Sequence, residues 1–284
     1  MEVRLAEPSY LNEEFDFNDP LIVSVIDDLP LWSAPFGMRL LDTVIMREHV
    51  RVLDVGSGTG FPMIELAQRL GRTCKVLGID PWREAIDRIE FKISKWNIGN
   101  IGMIEGVAED MPFDDGYFDL IISNNGFNNV EDQERAFAES ARVSKPGAQI
   151  VFTQNLPGTM LEFYRVFEKV LAERGMDRRI EKMKEHIFEK RKPLSYIENL
   201  LKSAGLNIVN VHEDSFDLRY TDGSAMLNHF VTKLAFLPEW RLVVQGENEA
   251  SIFESIEEEL NAVSRTNGEF VMSVPWVCID CRRD

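Results

Sequence analysis

The feature that most constrains this chain is a glycine-rich turn between an apolar segment and a helical pattern. Residues 50–55 are mostly apolar and predict a buried strand, which the alternating glycines of residues 56–60 follow at once. Apolar residues then recur at near-helical spacing from Ile64 to Leu70. Glycine lets a ligand approach the main chain closely, and the start of a helix offers free N–H groups. The strand, turn and helix therefore predict a ligand site on the turn.

The spacing of the glycines distinguishes two classes of ligand. A dinucleotide fingerprint needs its last glycine at position 61, where this chain has Phe61. Asp54 lies two residues before the first glycine. Its carboxylate would repel a pyrophosphate but suits an ammonium group, directly or through water. The turn therefore favours a nucleoside that carries an amino-acid end over NAD.

The segments that follow alternate between strand and helix patterns. A second strand, residues 75–79, ends at Asp80, where an acid accepts hydrogen bonds from ribose hydroxyls. Pro81 and Trp82 come next, and the Trp82 ring is expected either to offer a surface to a base or simply to pack. Further strands are predicted at residues 102–105, 118–122, 149–154, 206–211 and 269–279.

Five segments, taken in order, resemble the class I S-adenosylmethionine-dependent methyltransferases, in the branch that includes the ubiquinone/menaquinone biosynthesis methyltransferases. They are residues 52–60, 78–80, 108–113, 118–123 and 143–147. The resemblance covers about residues 38–155. It implies a Rossmann-like, doubly wound α/β sheet of seven strands with the last strand antiparallel, and with helical lid insertions. It also implies S-adenosylmethionine as cofactor and S-adenosylhomocysteine as product.

Carried over residue by residue, the resemblance implies a cofactor site along the turn and the strand ends. Asp54 is expected near the amino group of the methionine portion, and Asp80 on the ribose diol. Ala108, through its backbone, and Glu109 or Asp110 are expected to border the adenine. Val107 stands where the family often has an acid or Asn, so the adenine amino contact falls to Glu109 or to the backbone alone. The predicted cofactor residues are Asp54, Gly56, Ser57, Gly58, Thr59, Gly60, Asp80, Pro81, Trp82, Ala108, Glu109, Ser123 and Asn124.

Charge and hydropathy exclude two classes of function. The chain has 31 Lys and Arg against 48 Asp and Glu, a net charge of −17, which argues against nucleic acid as the main partner. No apolar run approaches the roughly 18 residues of a membrane span. The first residues lack the basic and apolar regions of a signal peptide, so we expect a cytoplasmic protein.

The cysteines predict reduced thiols and no metal site. The chain has three cysteines, Cys74, Cys278 and Cys281. The last two form a C-x-x-C pair, but a structural zinc site needs four ligands and the chain has no second pair. Because Cys278 and Cys281 also fall in a predicted strand, we expect buried or edge cysteines.

The segments outside the cofactor region predict a lid. We expect an N-terminal lid over residues 1–37 and a methyltransferase domain over residues 38–284, with cap insertions at about 158–192 and 213–268. Each insertion carries an apolar helical stripe. By analogy with the fold, they cover the substrate side. The stripe residues are Met160, Phe163, Phe167, Val170 and Leu171 in the first insertion, and Ile252, Phe253, Ile256, Leu260 and Val263 in the second.

The predicted reaction is methyl transfer to a small or medium-sized, partly apolar molecule. His229, in the second insertion, is a weak candidate for a catalytic base, with a structural role as the alternative. The residues 124–127 replace the Asp/Asn-Pro-Pro-aromatic loop of enzymes that methylate exocyclic amines, which disfavours that reaction. Two alternatives stay open: an aminopropyl-type transferase, and a non-catalytic protein that binds S-adenosylmethionine or S-adenosylhomocysteine and has a regulatory role. The sequence leaves the oligomeric state undetermined.

Overall fold

The chain folds into two compact units, each assembled from separate segments. In the computed structural model, residues 8–27 and 31–284 are described. The first unit, which we call the sheet unit, comprises the described residues of Asp16–Leu156, Arg191–Asp214 and Trp276–Asp284. The second, which we call the helical unit, comprises the described residues of Met1–Phe15, Pro157–Lys190 and Ser215–Pro275.

A seven-stranded sheet carries the predicted α/β architecture. Its strands are β1 (Arg51–Val55), β2 (Lys75–Asp80), β3 (Ile101–Glu105), β4 (Phe118–Asn124), β5 (Ser144–Asn155), β6 (Leu206–Tyr220) and β7 (Phe270–Arg283). The strand order is β3-β2-β1-β4-β5-β7-β6. β1 to β5 pair in parallel and β7 pairs antiparallel with β5, so the predicted sheet with an antiparallel last strand is confirmed.

Helices follow the strands, as a doubly wound fold requires. Those of the sheet unit are α1 (Pro20–Asp27), α2 (Ala34–Thr43), α3 (Met63–Leu70), α4 (Arg83–Trp96), α5 (Gln133–Val143) and α8 (Leu194–Ser203). Those of the helical unit are α6 (Leu161–Glu173), α7 (Asp177–Lys190), α9 (Gly223–Asn228), α10 (Leu237–Val243) and α11 (Glu249–Asn267). No helix among the described residues is both long enough and apolar enough to cross a membrane.

Burial on both faces explains why the central strands read as continuous apolar runs. Every residue of β1 after Arg51 is buried, which is typical of parallel strands covered by helices on each side. On one face the rings of Phe127, Phe137 and Phe152 lie within 5.4 Å of one another, centroid to centroid. This packing fixes the carboxyl ends of β4 and β5 against α5.

The apolar stripes predicted in the two insertions form the core of the helical unit. Phe163 of α6 stacks on Trp240 of α10, with ring centroids 3.7 Å apart. The Trp240 Nε1 donates a hydrogen bond to Tyr164 Oη at 3.0 Å, so its polar group is satisfied within the core. Both predicted helices are confirmed. The stripe residues with less than 3% of their surface exposed are Met160, Phe163, Phe167, Val170, Leu171, Ile252, Phe253, Ile256 and Leu260.

Three strands, β5, β6 and β7, extend at least four residues beyond their predicted limits at one end. β5 begins at Ser144 rather than at residue 149, because a register shift opposite Phe118 and Leu120 accommodates the Pro146-Gly147 pair within the strand. β6 continues to Tyr220 and β7 to Arg283. Their added residues alternate in burial or carry charges, so they lack the apolar run on which the prediction relied.

The predicted N-terminal lid, residues 1–37, does not belong to one structural unit. Its residues 1–7 and 28–30 lie outside the described residues. The boundary between the units falls after Phe15, inside the lid segment, and the two insertions correspond closely to the segments 157–190 and 215–275 of the helical unit. The role of these segments as lid and cap stays a prediction.

Candidate functional site

A cavity of about 700 Å³ opens in the sheet unit at the carboxyl ends of β1 and β2. In open α/β sheets this is the edge at which ligands bind. The structure brings seven of the thirteen predicted cofactor residues to its wall. These are Gly56, Gly58, Asp80, Pro81, Trp82, Ala108 and Glu109.

The glycine turn shapes the floor of this cavity. Gly56 and Gly58 adopt φ angles of +75° and +50°, a region that other residues rarely occupy. A Cβ on Gly56 would lie 2.8 Å from the Cα of Gly126, whereas a Cβ on Gly58 would meet no atom within 4 Å. Gly56 therefore allows the close approach of two loops, and Gly58 leaves open space beside the backbone.

Asp54 is a buried carboxylate beside this turn. Only 1% of the residue is exposed, and neither carboxylate oxygen has a hydrogen-bond partner among the described residues. Burial raises the pKa of Asp54 well above its usual range, and the charge of Asp80 raises it further. An unpaired buried carboxylate is costly, so the position fits a ligand that brings a cation or hydrogen-bond donors. This observation agrees with the ammonium group of S-adenosylmethionine.

Asp80 connects the end of β2 to the glycine turn. Its Oδ2 accepts a hydrogen bond from the Gly58 N–H at 2.8 Å, and its Oδ1 accepts one from the Trp82 N–H at 2.9 Å. Burial raises the pKa of the Asp80 carboxyl, and the two N–H donors partly oppose that rise. Each oxygen keeps a further lone pair, so the carboxylate fits ribose hydroxyls while it also holds the turn.

Trp82 and Glu109 each line the cavity and also make a contact within the protein. The Trp82 Nε1 donates to the Phe17 carbonyl at 2.9 Å, and the two rings meet edge to face at 5.7 Å. Glu109 Oε1 accepts from the Glu131 and Asp132 N–H groups at 2.7 and 3.1 Å. Trp82 thus combines packing with exposure to the cavity, and the Glu109 carboxylate is committed to a neighbouring loop.

Ser57, Ser123 and Asn124 are absent from the cavity wall and brace the backbone around it. Ser57 Oγ donates to the Asp54 carbonyl at 3.0 Å, and Ser123 Oγ donates to the Val55 carbonyl at 2.7 Å. Asn124 Nδ2 donates to the Ser33 carbonyl at 3.2 Å. These side chains fix strand ends, and direct contact between them and a cofactor stays a prediction.

Thr59 and Gly60 complete the turn without reaching the cavity wall. The Thr59 carbonyl accepts a hydrogen bond from Lys92 Nζ of α4, which also pairs with Asp27 at 2.7 Å. A Cβ on Gly60 would lie 2.6 Å from Ile64 Cδ1. Both residues therefore hold the turn against α3 and α4.

One wall of the cavity was missed by the sequence analysis. It is formed by the loop after β4 and the first turn of α5. The sequence offers only a positional clue to this wall, because a loop that follows the carboxyl end of a central strand is a candidate ligand-binding loop. The unpredicted lining residues of this wall are Gly126, Asn129, Val130, Glu131, Asp132 and Arg135.

His229 follows α9 in the helical unit and is not among the residues that line the cavity. Its ring centroid lies 5.5 Å from that of Tyr220, and its Nδ1 has no hydrogen-bond partner among the described residues. Burial lowers the pKa of His229 below its usual value. A role for His229 as a base stays a prediction.

The cysteines are buried and free. Burial raises the pKa of Cys278 to about 11 and that of Cys281 to about 12, which suppresses thiolate chemistry. Among the described residues, no group of three or more His, Cys, Asp or Glu side chains is placed to hold a metal ion.

The sequence matches known proteins through the same region that forms the cavity. Residues 53–152 match a family described as a methyltransferase domain. The chain is 36% identical over 131 residues to a ubiquinone/menaquinone biosynthesis C-methyltransferase of a Geobacter species, covering 44% of this chain and 55% of that protein. It is 30% identical over 130 residues to the demethylmenaquinone methyltransferase of Bacillus subtilis, covering 46% and 54% respectively.

The fold matches solved structures over a longer stretch. A methyltransferase from Aquifex aeolicus, described as dependent on S-adenosylmethionine, superposes with a TM-score of 0.52 at 21% identity, covering 70% of this chain and 92% of that one. The chain spans about half the length of the curated relatives it matches. These comparisons confirm the predicted resemblance and the predicted fold.

Proposed function

We propose that this protein transfers a methyl group from S-adenosylmethionine to a small or medium-sized, partly apolar molecule, because residues 53–152 match a family described as a methyltransferase domain. S-adenosylhomocysteine is the second product. The observation that carries the proposal is the unpaired, buried carboxylate of Asp54 beside the glycine turn.

The residues of the sheet unit bind and orient the cofactor. The carboxylate of Asp54 takes its amino group, which removes the cost of an isolated buried charge. Asp80 takes the ribose diol with the lone pairs that Gly58 and Trp82 leave free. Ala108 and the ring of Trp82 border the base.

Binding of this kind is most of what the protein must contribute to catalysis. The cofactor, when bound, supplies an electrophilic methyl group on a sulfonium. In-line transfer of that methyl group would require the protein to place the acceptor opposite the sulfur and to exclude water. An oxygen or carbon acceptor also loses a proton to a base.

The acceptor is the open part of the proposal. The matched relatives are named for methylation in quinone biosynthesis, but the matched stretches cover 44% and 46% of this chain. The net charge of −17 disfavours nucleic acid. We therefore keep the acceptor class at a small, partly apolar molecule.

Calorimetry and a transfer assay test the proposal together. S-adenosylmethionine and S-adenosylhomocysteine should bind at least about tenfold more tightly than NAD, since about 1.4 kcal/mol is one decade of affinity. Label from the methyl group of the cofactor should then appear in a product formed from a pool of metabolites. Tighter binding of NAD than of both adenosyl compounds would refute the proposed cofactor. Label from the aminopropyl chain in the product would indicate the alternative transfer, and tight binding without any product would indicate a regulatory protein.

A further inference from the structure

The first helix of the sheet unit carries a carboxylate that pairs with two cations of α4. Asp27, the last residue of α1, accepts a hydrogen bond from Arg88 Nε at 2.8 Å and another from Lys92 Nζ at 2.7 Å. Only 12% of the Asp27 side chain and 12% of the Lys92 side chain are exposed. Burial would raise the pKa of the Asp27 carboxyl, but the hydrogen bonds from Lys92 and Arg88 outweigh it and hold that pKa below its usual value. Asp27 and Lys92 therefore form a largely buried ion pair.

Lys92 connects this ion pair to the glycine turn. Its Nζ also donates a hydrogen bond to the Thr59 carbonyl, and the Thr59 side chain hydrogen bonds to the Asp27 carboxyl. Thr59 follows Gly58, which lines the cavity. A largely buried ammonium group is costly without its carboxylate, so loss of the Asp27 charge would draw Lys92 toward water. The Thr59 carbonyl would then lose its donor.

The glycine turn needs such a restraint from outside. Three of its five residues are glycines, which lose more conformational freedom than any other residue when the backbone is fixed. One bond inside the turn, from the Gly60 N–H to the Ser57 carbonyl at 2.8 Å, closes it. A ligand binds more tightly to a turn that already has its bound conformation, because less freedom is lost on binding. The Asp27–Lys92 pair thus bears on affinity, although neither residue is among those that line the cavity.

The segment that leads into α1 makes a second attachment, at the cavity wall. The Phe17 carbonyl accepts from Trp82 Nε1 at 2.9 Å, and the two rings meet edge to face at 5.7 Å. Trp82 lines the cavity. Because Phe17 contacts both the N–H and the ring of the indole, it restricts the orientation of this wall. Between the two attachments, α1 packs on α4.

We propose that residues 17–27, which we call the strap, position the cofactor from outside the cavity. Asp27 acts through Lys92 on the turn that carries the methionine portion, and Phe17 acts through Trp82 on the base. This inference rests on the proposed function. Asp27, Lys92 and Phe17 are positioning residues, because each acts through another group of the protein. One attachment is ionic and the other is aromatic, so each can be removed without the other.

Two ligands with the same base but different ends separate the two attachments. S-adenosylhomocysteine carries the amino-acid end, and methylthioadenosine lacks it. Calorimetry should show that Asp27→Asn and Lys92→Met each raise the dissociation constant of S-adenosylhomocysteine at least about fivefold, and that of methylthioadenosine less than about twofold. Phe17→Ala should weaken both ligands by a similar factor, at least about threefold, because both contain the base.

A double variant tests whether Asp27 acts through Lys92. Asp27→Asn combined with Lys92→Met should lose little more affinity for S-adenosylhomocysteine than the weaker-binding single variant, since residues of one network are not additive. A fully additive loss would contradict the relay. Because the single variants remove different partners of the pair, one of them still decides if the other fails to fold.

Asp87→Asn is the matched control. Asp87 also lies on α4 and pairs with Arg83 of the same helix at 2.5 Å, but 57% of its side chain is exposed. Exposed pairs of this kind contribute little. Asp87→Asn should therefore leave the affinity for both ligands unchanged, which shows that loss of an acid from this helix is not by itself enough.

Four outcomes would overturn the inference. They are unchanged affinity for S-adenosylhomocysteine in the folded Asp27→Asn and Lys92→Met variants, an equal loss for both ligands in those variants, an equal loss in Asp87→Asn, and failure of the wild type to bind methylthioadenosine. A loss confined to S-adenosylhomocysteine in Phe17→Ala would overturn the role of Phe17. Absence of S-adenosylhomocysteine binding to the wild type would be a different result, because it refutes the proposed function itself.

Discussion

The cofactor end of the sheet unit and the core of the helical unit treat their buried polar groups in opposite ways. In the helical unit the Trp240 indole donates to Tyr164 Oη, and Tyr10 Oη donates to Glu257 at 3.0 Å. At the ends of β1, β4 and β5, by contrast, Asp54 and the carboxamides of Asn125, Asn128 and Asn155 have buried atoms without a partner among the described residues. Unpaired groups lower stability, so they persist where binding a ligand compensates for them. The comparison identifies the core around Trp240 as a packed scaffold and the cofactor end as a binding site. His229 Nδ1, outside that core, is a buried atom of the helical unit that also has no partner among the described residues.

The largest effect should come from removing an anchor of the scaffold. Trp240→Ala deletes the ring that stacks on Phe163, and large-to-small changes at such sites cost about 3–5 kcal/mol. The free energy of unfolding, measured with denaturant, should fall by that amount. None of the lining residues of the cavity lies in the helical unit, so the affinity of the folded variant for S-adenosylhomocysteine should change less than about threefold. A large loss of affinity in a folded variant would break the distinction between scaffold and site.

Asp80 should give the next largest effect, on affinity. Asp80→Ala removes bonds to the ribose and frees the N–H groups of Gly58 and Trp82. Charge-assisted hydrogen bonds contribute roughly 1.5–3 kcal/mol each, so the dissociation constant for S-adenosylhomocysteine should rise at least about tenfold. Asp80→Asn keeps one acceptor and should lose less. An unchanged dissociation constant in a folded Asp80→Ala variant would refute the ribose assignment.

Gly37 tests whether Phe61 is a packing residue. A Cβ on Gly37 would lie 2.2 Å from Phe61 Cε1, so Gly37→Ala must displace that ring. Overpacking of this kind costs about 1–3 kcal/mol. We expect a lower free energy of unfolding by that amount, whereas Gly37→Ala combined with Phe61→Leu should recover part of it. Equal stability of Gly37→Ala and the wild type would show that the ring moves freely.

The smallest effect should be a pH dependence that belongs to Asp54. Its folded pKa lies above the unfolded value, so the free folded protein loses stability as pH rises through the folded pKa. Asp54→Asn removes the ionisable carboxyl and with it this pH-dependent loss of stability. The unfolding temperature of Asp54→Asn minus that of the wild type should therefore be greater at about pH 8 than at about pH 5. A difference that is independent of pH would mean that the Asp54 carboxylate is not penalised by burial.

The sequence predicted the strand–turn–helix unit well because local physics determines it. The apolar run of β1, the glycines of the turn and the acid at the end of β2 each act close to where they stand in the chain. The seven strands were found for the same reason, although β5 was predicted too short because Pro146 suggested a turn outside the strand.

The remaining parts of the site depend on contacts that are distant in sequence. Glu109 accepts a hydrogen bond from the loop before α5, and Asn128 donates one to Asn155. Both contacts depend on how β4, β5 and α5 pack together. Single residues such as Asn155 carry no pattern, so only the folded structure reveals that their amides are buried and unpaired. The role of His229 stays a prediction for the same reason.

The central claim is that the Asp54 carboxylate holds the amino group of the cofactor, and a thermodynamic cycle tests it most directly. Calorimetry would compare S-adenosylhomocysteine with its analogue that lacks the amino group, on the wild type and on Asp54→Asn. We predict that the wild type prefers the amino compound at least about tenfold, and that Asp54→Asn largely loses this preference, a coupling of about 1.4 kcal/mol or more. Equal preference in both proteins, with both folded, would contradict the account.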